Sequence, residues 1–297
     1  MKIIALVVTY NRENLLKECL EALLKQSYSL EKIVIVNNCS TDGTKDYLDY
    51  IKLNDEKEKF LIINLEKNVG GAGGFYEGIK ASSVIDYDFI WIMDDDTIAN
   101  EECLKKLVSK TNVDEKIGFL CSNVLWKDNS VCIMNIPHTY KLWNERLDAG
   151  LIRLKSTSFV SVLIKKSVIV EVGLPIKEFF IWGDDAEYTS RISNKYKGYM
   201  VSDSIVYHYM NENKDVNIIY DDNNRIARYF YEYRNKLFIK RKEGLKGILS
   251  YFKYLLTSIN GVILKSKNNK YKRIKYILKG FVSGVKFNPK IEYLEGE

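Results

Sequence analysis

Apolar runs and helical patterns alternate along the first 117 residues. Residues 2–9 hold a continuous apolar run, which is typical of a strand covered on both faces. Residues 11–26 then place leucines at helical spacing behind Asn11, a residue that can cap a helix. The same order recurs three times. An apolar run at 32–36 precedes a predicted helix that starts near 44, a run at 60–65 precedes one that starts near 74, and a run at 89–93 precedes one that starts near 101. We therefore predict an α/β, Rossmann-like fold: a mainly parallel sheet with helices on both faces.

The pattern loosens after Gly118. Shorter strands are predicted at 119–126, 158–164 and 199–207, around a helix at 184–195. We predict one domain over residues 1–224, built from a ligand-binding half (1–117) and a second half (118–224) that binds a further substrate. Residues 225–297 form a separate tail.

Charge divides the chain at the same boundary. Residues 1–224 carry 27 basic and 34 acidic side chains, whereas 225–297 carry 18 basic and 5 acidic ones. The basic tail predicts an anionic partner, either nucleic acid or an acidic lipid surface. The acidic body and the lack of a known nucleic-acid-binding motif disfavour nucleic acid. The five cysteines are scattered, which is consistent with reduced thiols in the cytosol. The first apolar run is too short for a signal peptide or a membrane span, which also favours a cytosolic location.

The tail contains two amphipathic helical patterns. Their apolar stripes are Ile248, Phe252, Leu255, Ile259 and Ile263, then Ile274, Ile277, Leu278, Phe281 and Val285. A spanning helix would place Lys253 inside the bilayer at a cost of about 2.5–3.5 kcal/mol. We therefore expect residues 245–290 to lie on an anionic membrane surface, with the protein peripheral on the inner face of the cell membrane. Two alternatives stay open: the stripes pack on the domain, or they join two copies in a homo-oligomer.

Polar motifs follow each of the first four predicted strands. They occupy residues 9–12, 37–43, 68–74 and 94–96. The carboxyl ends of parallel strands meet at one edge of a sheet, where ligands bind. The four motifs therefore predict one shared cleft.

Three successive acids close the fourth strand. Asp94 and Asp96 share one face of an extended chain and can hold one cation, whereas Asp95 points away or engages the ligand. Carboxylate oxygens suit Mg²⁺ or Mn²⁺. His208 ends a later strand and can add a nitrogen ligand, although a lone histidine is more often structural. The alternative for the acids is a solvated turn that caps a helix.

Two other motifs have weaker signals. Asn68, Gly70 and Gly71 begin a glycine-rich segment that lets backbone approach a ligand, but glycine runs also make ordinary turns. The run follows the third strand, not the first, so it does not match a dinucleotide-binding fingerprint. Asp42 lies in a turn of small polar residues and either satisfies that turn or accepts hydrogen bonds from a nucleoside, helped by Thr9 and Tyr10.

A second acidic cluster follows the aromatic run at 179–182. Asp185 is our candidate for a general base that removes a proton from an attacking hydroxyl, with Trp182 and Asp184 binding that acceptor. The alternative is structural, since acids are favoured at a helix N-terminus.

Taken together, the motifs at 9–12, 38–44, 68–75, 94–96 and 182–187 resemble an inverting family 2 glycosyltransferase with the GT-A fold, over about residues 1–235. The resemblance implies a metal at Asp94, Asp96 and His208, and Asp185 as the base. It also implies a nucleotide-sugar site, formed by Thr9, Tyr10, Asn11, Arg12, Asp42, Asn68, Gly70, Gly71, Asp94 and Asp95.

The glycine-rich stretch and the motif at 182–187 are most similar to those of bacterial galactofuranosyltransferases, followed by rhamnosyltransferases. That similarity implies UDP-galactofuranose, or alternatively dTDP-rhamnose, as donor and a glycan or lipid-linked glycan of a cell-surface polysaccharide as acceptor. The chain has no room for the extra domains of the polymerising enzymes, so one or a few additions are expected. A sugar nucleotidyltransferase and a catalytically silent glycan-binding or scaffold subunit are the rival interpretations.

Overall fold

The computed structural model describes residues 1–294 and divides the chain into two compact units. The sheet unit contains Met1–Lys177, Asp185–Lys214 and the described residues from Ile291 onward. The helical unit contains Glu178–Asp184 and Asp215–Lys290. Its larger segment, Asp215–Lys290, therefore starts ten residues before the predicted boundary at 225, and residues 295–297 of the predicted tail lie outside the described part.

The strands and helices of the described chain are numbered in chain order. The strands are β1 (Ile3–Thr9), β2 (Lys32–Asn37), β3 (Phe60–Asn64), β4 (Phe89–Asp94), β5 (Thr97–Ala99), β6 (Ile117–Trp126), β7 (His138–Thr139), β8 (Leu151–Ser156), β9 (Val162–Lys165) and β10 (Lys197–His208). The helices are α1 (Glu13–Leu24), α2 (Thr44–Leu53), α3 (Gly70–Ser82), α4 (Cys103–Ser109), α5 (Lys166–Val172), α6 (Asp184–Ser193), α7 (Tyr229–Lys242), α8 (Gly244–Lys265) and α9 (Lys270–Lys286).

All ten strands belong to one sheet. Its order is β3-β2-β1-β4-β9-β6-β10-β8-β7, with β5 paired to β10. The first four strands in this order run parallel, and β9 pairs antiparallel with both β4 and β6. The predicted α/β class is confirmed, and antiparallel pairs are concentrated in the second half of the chain.

Buried side chains cover both faces of the sheet. Along β1, Ile3, Ala5 and Val7 belong to one core cluster, together with leucines of α1, α2 and α4. The intervening residues Ile4, Leu6 and Val8 belong to the other cluster, with apolar residues of α3, α5 and α6. This alternation is the period of two expected of a strand, and it confirms helices on both faces.

The helix α3 begins at Gly70, four residues before the predicted start at Gly74. A Cβ on Gly74 would lie 2.4 Å from Cγ1 of Val8, and one on Gly78 would lie 2.4 Å from Cδ1 of Leu6. These glycines therefore let the helix pack closely on β1. Tertiary contact outweighs the low helix propensity of glycine, and for this reason the helix start predicted from the sequence is too late.

The helical unit has its own core, made by α7, α8 and α9. Tyr233, Leu255 and Ile277 are buried in it. Two glycines of α9 let the helix approach α7: a Cβ on Gly280 would lie 2.6 Å from the carbonyl oxygen of Phe230. The predicted stripes are therefore corrected in part, because Leu255 and Ile277 pack inside this unit and do not face outward.

Substituting Gly74 by Ala is expected to destabilise the sheet unit by about 1–3 kcal/mol, because the new methyl group overlaps Val8. Gly71→Ala in the same helix is the matched control, since a Cβ there meets nothing within 4 Å. Thermal unfolding followed by circular dichroism should show a lower midpoint for Gly74→Ala alone. Equal midpoints for the two variants would contradict the packing described.

Candidate active site

The predicted polar motifs meet at the carboxyl edge of the parallel strands. Val8 pairs with Asp94 across β1 and β4, and Thr9 pairs with Asn37 across β1 and β2. The ends of these three neighbouring strands therefore lie side by side. This is the edge at which open α/β sheets bind ligands.

An acidic cluster with one histidine lies at the end of β4. Asp94, Asp96 and His208 each offer a ligand atom, and these atoms lie within 4.8 Å of one another. The pairing of β5 with β10 brings them together, because His208 is opposite Thr97 in that ladder. The structure thus juxtaposes the three residues that the sequence suggested for a metal.

Both ring nitrogens of His208 are hydrogen-bonded. Nε2 lies 3.0 Å from Oδ1 of Asp96, and Nδ1 lies 2.7 Å from Oδ1 of Asn135. Carboxylate and amide oxygens only accept, so both nitrogens donate and the ring is an imidazolium. Burial opposes this charge, but the hydrogen bond with Asp96 raises the pKa of His208 to about 10. Burial likewise opposes ionisation of Asp96, but His208 lowers its pKa to about 2.

In contrast to Asp96, Asp94 has a raised pKa. Its burial and the neighbouring charge of Asp96 raise its pKa to about 7. A divalent cation would relieve this repulsion, and two carboxylates with an imidazole suit Mn²⁺ or Mg²⁺. The donor set therefore fits such an ion, which would replace the Nε2 proton of His208.

Asp95 contacts a different set of groups. It accepts hydrogen bonds from Oγ1 of Thr9 at 2.8 Å and from the backbone N–H of Tyr10 at 3.3 Å. The guanidinium of Arg12 lies 3.1 Å from Asp95 and also pairs with Asp96. Burial opposes the charge of Arg12, but both carboxylates raise its pKa. Arg12 therefore compensates the acidic cluster from the side of β1, and its side chain is 47% exposed.

Asp42 joins the starts of two helices. Its carboxylate accepts from the backbone N–H of Thr44 at 3.0 Å and of Glu13 at 3.4 Å, the first residues of α2 and α1. Asn11 holds the same turn, since its Oδ1 accepts from the N–H of Thr41 at 2.7 Å. Asp42 thus satisfies its turn, which is one of the two roles that the sequence left open, and its carboxylate is exposed.

The glycine-rich segment starts α3 at the same edge of the sheet. Gly70 has a φ of 76°, and its N–H donates to Oδ1 of Asn68 at 2.8 Å. The side chain of Asn38 fixes the turn from the β2 side by accepting from the N–H of Val69 and donating to the carbonyl of Gly70. A Cβ on Gly71 would meet open space. The backbone at Gly71 is therefore open to a ligand, in contrast to the packed glycines further along α3.

Asp185 lies in the first turn of α6, which is tied to the acidic cluster through the segment at 157–161. Oγ1 of Thr189 donates to the carbonyl of Thr157 at 3.1 Å. Three residues later, the carbonyl of Val160 accepts from Oγ1 of Thr97 at 3.1 Å. The helix that carries Asp185 and the residue after Asp96 therefore share one support within the sheet unit.

Trp182 and Asp184 belong to the helical unit, at the end of a loop with unusual backbone geometry. Phe180 and Trp182 have φ values of 64° and 66°. A non-glycine residue in this region costs about 1–3 kcal/mol and needs support from its surroundings. Asn235 of α7 supplies it, because its Nδ2 lies 3.0 Å, 3.1 Å and 2.8 Å from the carbonyls of Phe179, Ile181 and Trp182.

Three asparagines that hold the candidate site residues in place were not recognised from the sequence: Asn38, Asn135 and Asn235. Each holds residues far away in the chain, such as Asn135 with His208 and Asn235 with Trp182. Asn38 lay inside a motif that was recognised as a whole. Asn135 and Asn235 lay in segments without a pattern, so their side chains gave no signal.

The chain is similar in sequence to a bacterial polysaccharide synthase. It is 28% identical over 172 residues to the poly-β-1,6-N-acetyl-D-glucosamine synthase of Staphylococcus aureus. The aligned residues cover 57% of this chain and 40% of that relative. The chain thus spans less than half the length of that relative.

Solved structures show a similar fold. The mannosyltransferase PcManGT from Pyrobaculum calidifontis, in complex with GDP-Man and Mn²⁺, has a TM-score of 0.59 at 14% identity and covers 96% of this chain and 87% of its own. TarS from S. aureus, in complex with UDP-GlcNAc, has a TM-score of 0.52 at 16% identity, covering 95% of this chain and 72% of its own. The model of glycosyl transferase family 2 matches residues 4–160, more than half of the sequence. The chain therefore belongs to family 2 and is a glycosyltransferase with a GT-A fold.

Proposed function

We propose that this glycosyltransferase moves a sugar from a UDP-sugar to a hydroxyl of a glycan or lipid-linked glycan, with inversion and with the help of a divalent cation. The observation that carries the proposal is the meeting of Asp94, Asp96 and His208 within 4.8 Å at the carboxyl edge of the sheet. Oxygen and nitrogen ligands in that arrangement suit an ion that binds a diphosphate.

Asp94, Asp96 and His208 would hold Mn²⁺ or Mg²⁺. When bound, the ion stabilises the negative charge of the departing diphosphate. Asp95 stays beside Thr9 and Arg12. Arg12 is partly exposed and can pair with a phosphate as well as with the carboxylates.

The nucleoside would bind between the β1 and β2 ends and the start of α3. Asp42 already accepts two backbone hydrogen bonds, but a carboxylate has about four acceptor positions, so it can also accept from a ribose or a uracil. The open backbone at Gly71 offers room beside it. The UDP-GlcNAc complex of TarS supports UDP as the nucleotide, and the GDP-Man complex of PcManGT makes GDP its alternative.

Galactofuranose is the sugar that the motif resemblance favours, and rhamnose from dTDP-rhamnose is its alternative. The name of the S. aureus synthase and the ligand of TarS favour N-acetylglucosamine instead. All three sugars are consistent with synthesis of a cell-surface polysaccharide. The donor therefore has to be distinguished by experiment.

Asp185 would act as the base that removes the proton of the acceptor hydroxyl as it attacks. Its position in the first turn of α6 gives the carboxylate a fixed backbone, supported by the pair formed by Thr189 and Thr157. Trp182 and Asp184 precede it in the chain and are our candidates for binding the acceptor.

The purified protein is expected to bind a UDP-sugar only when Mn²⁺ or Mg²⁺ is present. Calorimetry with UDP-galactofuranose, UDP-GlcNAc, GDP-mannose and dTDP-rhamnose identifies the donor, and EDTA should abolish binding. Asp96→Asn should weaken it by at least about 10–100-fold, since a metal ligand is at least as costly to lose as its supporting partner. Asp46→Asn, an exposed change on α2, is the control. No affinity for any donor would favour the glycan-binding interpretation.

Asn135→Leu is expected to weaken Mn²⁺ binding about 10–100-fold, because the variant no longer orients the ring of His208 through Nδ1. Asn135→Asp keeps an acceptor oxygen at that position and should retain affinity. Electron paramagnetic resonance of free Mn²⁺ measures both variants directly. Equal loss in the two would mean that Asn135 acts through packing alone.

Asp185→Asn should lower the rate of transfer about 10²–10⁴-fold, the range that a general base contributes. Donor binding should stay close to that of the unaltered protein, because the acidic cluster at 94–96 is unchanged. The rate is read from UDP release with the acceptor present, and the affinity from calorimetry. A variant that keeps its transfer rate would exclude Asp185 as the base.

A further inference from the structure

The helix α8 has two apolar faces, and only one of them is packed. Tyr251, Leu255 and Val262 are buried in the core of the helical unit. A second set remains exposed by 41–72%: Leu245, Leu249, Phe252, Leu256 and Ile263. At about 100° per residue, these five fall within an arc of about 60° on the helix. They form a continuous stripe that differs from the predicted one, which included the buried Leu255.

The helix α9 extends this stripe sideways. Its own exposed apolar residues are Leu278, Val282 and Val285, which are 45%, 66% and 54% exposed. The rings of Phe252 on α8 and Phe281 on α9 are in contact, with centroids 5.7 Å apart. The two rows therefore join, and we refer to them together as the α8–α9 surface.

The charged side chains that α8 and α9 themselves carry are all positive. Residues 244–290 contain eleven basic side chains and no acidic one. Exposed lysines lie within about 100° of the apolar arc on the same flank of each helix. They are Lys246 and Lys253 on α8 and Lys272, Lys275, Lys279 and Lys286 on α9.

We propose that the α8–α9 surface rests on a lipid bilayer that contains anionic headgroups, with its apolar side chains below the headgroups and its lysines at the phosphates. An apolar row flanked by lysines alone is the pattern of an interfacial helix, and the cytoplasmic leaflet of a cell membrane supplies the negative charge. A second copy of this chain is a poorer partner, because it would bring two acid-free lysine rows together.

The helix lies on the bilayer and does not cross it. Among residues 1–294, α8 is the one helix long and apolar enough to span a membrane by length and composition. However, its buried face packs on α7 and α9, and Lys253 lies near its middle. Crossing would force these contacts and this charge into the hydrocarbon layer, whereas an interfacial position keeps the helical unit intact.

Flotation of the full chain with vesicles tests this proposal. The protein should float with vesicles of phosphatidylcholine and phosphatidylglycerol, and far less with phosphatidylcholine alone. The double variant Leu249→Glu/Leu256→Glu should float at least about tenfold less, since it places charges below the headgroups. Lys275→Gln/Lys279→Gln should lose binding only to the anionic vesicles, and high salt should mimic that loss.

Leu53→Glu is the matched control, because Leu53 is 87% exposed at the end of α2 in the sheet unit and should not alter flotation. Thermal midpoints and nucleotide-sugar binding should be the same in all variants, which separates this proposal from the proposed function. Unchanged flotation of the Leu249→Glu/Leu256→Glu variant would overturn it. So would light scattering that shows a dimer dissociated by these changes.

Discussion

Three consecutive carboxylates at the end of a buried strand need positive charge beside them, and this requirement determines how the sheet unit is assembled. Burial and the charge of the neighbouring Asp96 raise the pKa of Asp94 and of Asp95. Two cations offset the repulsion, Arg12 from the β1 side and His208 from the β10 side. His208 reaches Asp96 across 112 residues of sequence only because the three-residue strand β5 pairs with β10. The later strands of the sheet thus complete a site that the first four strands begin.

The first half of the sheet was predictable because each of its strands is an apolar run that is followed directly by polar, turn-forming residues. The predicted starts of β2 and α2 match the structure. The start of α3 was misplaced because the glycines of this helix were read as turn residues. Gly74 instead allows close packing on Val8, a tertiary contact that helix propensity does not take into account. Strand β9 begins at Val162, four residues later than predicted, since residues 158–161 instead support the site.

The candidate site was predictable in its acids but not in its supports. Acids that follow an apolar strand are visible in the sequence, whereas the partner of His208 depends on where Asn135 is placed by an irregular segment. The same limit applies to the helical tail. Periodicity identified amphipathic helices, but α8 has apolar residues on more than one side. Only packing against α7 and α9 decides that Leu255 is buried while Leu256 is exposed.

The charge balance of the cluster explains why a divalent ion suits it. When Asp94, Asp95 and Asp96 are all ionised, Arg12 and a protonated His208 leave one negative charge uncompensated. Because a metal-bound imidazole is neutral, a divalent ion that takes the place of the proton on Nε2 brings the total to zero. A monovalent ion in the same place would leave the surplus unchanged. The carboxylates therefore gain most from an ion of charge two, and the hydrogen bond from His208 Nδ1 to Asn135 keeps Nε2 directed at Asp96 in either state.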